Sequence, residues 1–228
     1  MYFVNQGTKF HILGLIAECQ QSWQDASTAF EEAIHIEPEN VSHWYALGRV
    51  AFTRGEADQS LYAFNMALDM NPLDPIALTF SYDALHALGH DTEALRRVAC
   101  AVELDSANVP ALRRLIEARI RMGWHHGKEG QKTWRLLGQA QRRAAGDPEV
   151  HECLAQYYMA RGEWDKVPQL WQNFTIQYPC SPTGWQYAAK WHQATGDDLN
   201  ARVAIQQAYH LQPDHPDIRK AMQVPAYG

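Results

Sequence analysis

Trp124, His125 and His126 stand among glycines at 123, 127 and 130, and their side chains come nearest in this chain to metal or acid–base chemistry. A neutral imidazole ligates transition metals and titrates close to physiological pH, so a loop folding both rings inward would hold a usable site. Adjacent side chains otherwise point apart, which makes the trio a loop candidate and not a metal assignment. His86 and His90 have the four-residue spacing of a helical metal pair, but Gly89 puts a turn between them. Cys19, Cys100, Cys153 and Cys180 include no close pair, which suggests neither a zinc-binding spacing nor a disulfide framework. The sequence contains no nucleophile elbow, phosphate loop, zinc-protease motif or close carboxylate pair. The expectation is a protein without catalysis, cofactor or metal.

The other chemistry on offer is recognition. Aromatic side chains and arginine carry most of the binding energy at protein interfaces, and Tyr45, Phe52, Phe80, Tyr187, Arg49, Arg113, Arg114 and Arg121 supply both types. Their use depends on the elements that hold them, and those elements repeat. Gly14 and Gly48, Gly55 and Gly89, Ala33, Ala67 and Ala101, and Pro38 and Pro72 each recur at thirty-four residues. A period of this length means stacked units, none of which buries its apolar face alone. In the frame 41–74, Trp44, Leu47, Gly48 and Ala51 share one helix face, and Ser60, Phe64, Ala67 and Leu68 share the face of a second helix. Gly48 and Ala67 are small where two helix axes come close, and Pro72 ends the second helix.

The frames run 7–40, 41–74, 75–108, 109–147, 148–181 and 182–215. An irregular lead over 1–6 precedes them, and Pro216 at a first helical turn predicts a capping helix over 216–223 with a polar outer face. The turn glycines Gly123 and Gly162 lie thirty-nine residues apart instead of thirty-four. The five extra residues are expected as a loop insertion over 124–130, with the second helix of that unit over 131–145. The chain has 228 residues, with 20 basic and 26 acidic side chains and a net charge of −6, which argues against a general nucleic-acid or anionic-membrane binder. No apolar run approaches the ~20 residues of a membrane helix, and the start lacks a signal-peptide pattern, so a cytoplasmic protein is expected.

Trp44-x-x-Leu47-Gly48, Gly55, Phe64, Ala67 and Pro72 resemble the tetratricopeptide repeat (TPR). The frame at 182 repeats the pattern with Trp185, Ala188, Ala189, Gly196, Ala201, Ala208 and Pro213, and the frame at 148 with Leu154, Ala155, Tyr158, Gly162, Trp171 and Pro179. The resemblance implies an all-α fold: a right-handed α-solenoid of about six stacked helix-turn-helix units plus the capping helix, forming one domain over 1–228. It also implies a concave groove lined by the first helix of each unit. With the packed positions removed, that groove would present Ile12, Leu15, Tyr45, Arg49, Phe52, Phe80 and Asp83 toward its N-terminal end, Arg113, Arg114, Glu117 and Arg121 in the middle, and Tyr187 beyond.

The expected ligand is an extended or helical protein segment with apolar and acidic side chains. Arg113, Glu117 and Arg121 are spaced four apart, so they equally well neutralise one another on a solvated face at ~0.2–0.5 kcal/mol per pair. Some repeat domains of this family grip acidic chaperone tails with a lysine, asparagine and arginine clamp. The matching positions here are His11, Leu15, Ala46, Ile76 and Phe80, which argues against that partner. Two functions stay open: a scaffold or adaptor in the assembly of a larger complex, or a regulatory or substrate-recruiting segment of a longer enzyme or secretion component. The first unit shows no cap, so self-association through it is a further expectation.

Overall fold

The computed structural model describes residues 5–223. Among them are 13 helices and no strand: α1 (Gln6–Cys19), α2 (Trp23–Ile36), α3 (Val41–Thr53), α4 (Ala57–Met70), α5 (Pro75–Ala87), α6 (Asp91–Leu104), α7 (Val109–Arg121), α8 (Gly127–Arg143), α9 (Pro148–Ala160), α10 (Lys166–Gln177), α11 (Pro182–Ala194), α12 (Asp198–Leu211) and α13 (Pro216–Gln223). Residues 1–4 of the expected lead lie outside the described residues; Asn5 caps α1 and Gln6 already belongs to it. None of the helices described is long and apolar enough to cross a membrane. The chain divides into two compact units, Met1–Ala118 and Arg119–Gly228, with the boundary inside α7.

The repeat period is visible in two backbone devices. The turn after each first helix needs one residue in the left-handed region, and it is met at Gly55, Gly89, Gly123, Gly162 and Gly196 with φ between 77° and 81°. Only glycine takes that conformation without a Cβ penalty. In the first turn the position is Gln21, with φ 58°. The second device is a short polar N-cap on each first helix. The side chains of Asn5, Asn40, Asp74, Asp147 and Ser181 accept from backbone N–H groups of the first turn of α1, α3, α5, α9 and α11, and Asn108 does so at Ala111 in α7. Each satisfies donors that a helix start leaves unpaired.

Packing inside the helix pairs follows from small residues facing rings. A Cβ on Gly14 would come within 2.5 Å of the Phe30 ring, and one on Gly48 within 2.9 Å of the Phe64 ring, so α1 on α2 and α3 on α4 approach as closely as they do only because those positions lack side chains. Ala26, Phe30, Ala63 and Ala67 are fully buried at these crossings. The repeat tryptophans are held at one end: Trp44 Nε1 donates to the Pro38 carbonyl at 2.8 Å, and Trp185 Nε1 donates to the Pro179 carbonyl at 2.8 Å. In the C-terminal unit α13 packs on α12 with Ile218 fully buried.

The five-residue slip is not a loop over 124–130. Gly127 to Gly130 form the first turn of α8, and only residues 122–126 stand between α7 and α8. Relative to the preceding unit, where three residues separate α5 from a 14-residue α6, two of the extra residues lengthen the turn and three lengthen α8 to 17. Gly130 is a packing requirement here: a Cβ on it would sit 2.5 Å from the His125 carbonyl oxygen. A glycine-rich stretch that reads as loop is therefore helix closely covered by its own preceding turn.

Candidate partner-binding surface

On α1 the side chains of Ile12 and Leu15 are exposed, at 46% and 38%. On α3, Tyr45, Arg49 and Phe52 follow one another at four and three residues and so share a helix face. Phe52 is 40% exposed. Arg49 is committed to the neighbouring unit: its Nε donates to Glu18 Oε1 at 3.1 Å and its Nη2 to Glu18 Oε2 at 2.6 Å, a bidentate pair between α3 and α1. Tyr45 donates its hydroxyl to Asp74 Oδ2, while Asp74 Oδ1 caps α5 by accepting from Ile76 and Ala77 at 2.8 Å. Burial, and then the Asp74 carboxylate, push the Tyr45 phenol well above its ordinary value, so this ring is a neutral donor.

Phe80, Asp83 and Arg114 come together. Arg114 Nε donates to Asp83 Oδ2 at 2.9 Å, its Nη2 donates to the same oxygen, and its guanidinium lies 5.1 Å from the centroid of the Phe80 ring. The Phe80 ring is also stacked on Phe64 at 6.2 Å. This arginine is thus used across repeats, between α7 and α5, while its Nη1 also donates to the Pro110 carbonyl of its own helix at 3.4 Å. Arg113, Glu117 and Arg121 on α7 all have interaction partners, and burial lowers the Arg121 value. Tyr187 on α11 is stacked at 11° and 5.3 Å on the fully buried Trp171.

Trp124, His125 and His126 form the turn before α8. The Arg119 guanidinium lies 5.0 Å from the Trp124 ring centroid, and the two imidazoles sit 4.5 Å apart at 59°. Nowhere among the described residues do three His, Cys, Asp or Glu side chains converge as a metal site. The residue that organises this turn is Arg119, which the spacing did not single out. It is 9% exposed, donates to Thr133 Oγ1 at 3.0 Å, to the Glu129 carbonyl at 3.1 Å and to Glu129 Oε2 at 2.6 Å. Its signal was available: Arg119 occupies the place held one, two and three periods earlier by the buried Leu85, Ala51 and Ala17.

A second group missed from sequence is the chain His11, His43 and Glu37. His11 Nδ1 and His43 Nδ1 lie 2.9 Å apart, and His43 Nε2 lies 3.0 Å from Glu37 Oε2. One Nδ1 must donate to the other, so the two rings cannot both carry a proton there. Burial, then the His43 and Arg49 charges, lower the His11 value, and the His43 hydrogen bond lowers that of Glu37. The spacing of thirty-two residues between the two histidines is close to one period but not equal to it, which is why a strict projection passes over it.

Residues 13–75 match the tetratricopeptide repeat family. Among curated protein sequences none matches this chain. Solved structures give the fold: a thermophilic TPR protein of Thermus thermophilus is 21% identical with a TM-score of 0.65, covering 81% of this chain and 100% of its own. PilW, a type IV pilus biogenesis factor, is 15% identical with a TM-score of 0.70, covering 96% and 100%. YrrB, a TPR protein with an unusual peptide-binding site, is 16% identical with a TM-score of 0.53, covering 87% and 100%.

Proposed function

We propose that this helical-repeat chain, whose architecture is that of the tetratricopeptide repeat proteins, is a non-catalytic scaffold that holds a segment of another protein against its first helices. Proteins of this kind generally mediate protein–protein interaction, and the finer reading rests on the surface of α1 and α3. The observation that carries it is the exposure of the large apolar side chains Phe52, Leu15 and Ile12 on the helices that carry the Arg49–Glu18 pair. An apolar patch with a charged rim suits a partner segment that brings apolar side chains and satisfies the rim with carboxylate or backbone groups. Arg114 and Arg49 act first as ties between neighbouring units, so they present a pre-arranged edge and not free cations.

The test is quantitative capture of interacting proteins by the intact chain, followed by mass spectrometry and affinity measurement of the recovered partner. Leu15→Ser and Phe52→Ser together should weaken its binding by at least about tenfold, some 1.4 kcal/mol, with helicity unchanged. Retention of full affinity would remove the first-helix surface from the account. Tyr45 makes a poor probe of the same idea, because its hydroxyl is tied to the residue that caps α5.

A further inference from the structure

In the C-terminal unit an open cleft of about 700 Å³ lies between the start of α8, the end of α9 and the turn into α10. Its wall carries three aromatic side chains. Trp134 is 47% exposed, and its ring centroid lies 5.6 Å from that of Tyr157 and 6.3 Å from that of Tyr158. Its rim carries three cations, Arg135, Arg161 and Lys166, against one carboxylate, Glu163. Arg161 lies 5.7 Å from the Tyr157 centroid and Lys166 lies 5.2 Å from the Tyr158 centroid, so each cation stands over a ring of the wall. Glu163 accepts from Arg161 Nε at 2.6 Å and from Lys166 Nζ at 2.7 Å, which fixes both where they stand. Arg135 is exposed and makes no ion pair among the described residues.

The cleft is a built feature. Tyr157 donates its hydroxyl to the Gly130 carbonyl at 3.1 Å, and Arg161 Nη1 donates to the His125 carbonyl at 3.1 Å, so the extra turn and the lengthened α8 are pinned to α9. The three residues by which α8 exceeds α6 fall at its N-terminal end, since each helix ends four residues short of the next first helix. The five-residue slip thus supplies part of the cleft floor. His126 makes no side-chain cap hydrogen bond at the start of α8.

We propose that this cleft is a second docking site, separate from the first-helix surface, for a short acidic protein segment whose aromatic or proline ring lies against Trp134 and whose carboxylates meet Arg135, Arg161 and Lys166. Charge complementarity selects the occupant: a local excess of two positive charges stands on a chain whose net charge is −6, beside rings that suit a flat or extended apolar side chain. Cations over aromatic rings also favour acidic over basic ligands, because the faces are already occupied by positive charge.

The experiment selects a random heptapeptide library, displayed on phage, against the intact chain, with counter-selection on a Trp134→Ala, Arg135→Glu double variant whose helicity is verified by circular dichroism. The expected pool carries Asp or Glu next to an aromatic residue or proline. Its most enriched member, labelled with fluorescein, should bind the wild-type chain, lose at least tenfold in affinity for Trp134→Ala and for Arg135→Glu separately, and keep its affinity for Phe52→Ser. The proposal is overturned if nothing is enriched over the counter-selection, if the pool is basic or uncharged, or if either variant binds as tightly as wild type. It is equally overturned if labelled oligothymidylate binds the wild-type cleft and is lost in the same variants, which would assign the site to a nucleic acid.

Discussion

At the scale of single residues, the chain shows where a repeat rule holds and where it has been broken. The turn glycines were legible from spacing because their reason is conformational: each has φ near +80°, where a side chain is penalised. Gln21 holds the same place without being glycine. Gln21→Gly should therefore raise the unfolding free energy by about 0.5–1 kcal/mol in denaturant melts, the relief of left-handed strain less the entropy of a glycine. Gly48→Leu should do the reverse and cost about 1–3 kcal/mol or more, since even its Cβ would meet the Phe64 ring at 2.9 Å. Two histidines set a pH dependence that spacing could not show, because burial decides it. Burial lowers His11 and His151 below their ordinary value of 6.5, in the second case against the opposing Asp147. The unfolded chain then binds more protons than the folded one, so their contribution is complete above about pH 6.5 and is lost as pH falls through the folded values. The melting temperature should drop between about pH 7.5 and about pH 5.5, and the drop should shrink in a His11→Gln, His151→Gln variant.

At the scale of elements, the six first helices are readable from periodicity, yet their caps emerge only from the backbone. Asn40, Asp74, Asn108, Asp147 and Ser181 recur in step with the turn glycines but vary in type, so a search for identical residues overlooks a role that several short polar side chains fill equally well. The fourth unit is the harder case. The slip was visible as a count, but its division between turn and helix rests on Arg119, a guanidinium at a position where the three preceding repeats bury Ala17, Ala51 and Leu85. Arg119 ties the end of α7 to Thr133 and Glu129 on α8. Arg119→Ala should cost about 1–3 kcal/mol and raise hydrogen exchange across 122–130, whereas Arg96→Ala, 77% exposed, should stay within about 0.5 kcal/mol. Equal costs for the two would show that the buried arginine has no organising role.

At the scale of the whole molecule, helix-face periodicity and the resemblance to the tetratricopeptide repeat carried the all-helical class, while the surroundings of the proposed recognition residues were only half legible. Helical projection expected Ile12, Leu15 and Phe52 in the groove, and the structure shows their side chains exposed. It treated Arg49 and Arg114 as available cations, and the structure ties both to carboxylates thirty-one residues away in the preceding unit. A projection of one helix sees neighbours three and four residues along and is blind to pairs made between units. The aromatic cleft beside α8 was hidden for the same reason, since Trp134, Tyr157 and Lys166 come from three helices. The central claim is that the first-helix face of α3 meets another protein. Its most direct measurement is photo-crosslinking from a benzoylphenylalanine placed at Phe52, with a matched probe at the exposed Glu32 of α2 as control. A discrete adduct with one partner from Phe52 and none from Glu32 is the predicted result; equal labelling from both positions, or adducts from Glu32 alone, would contradict it.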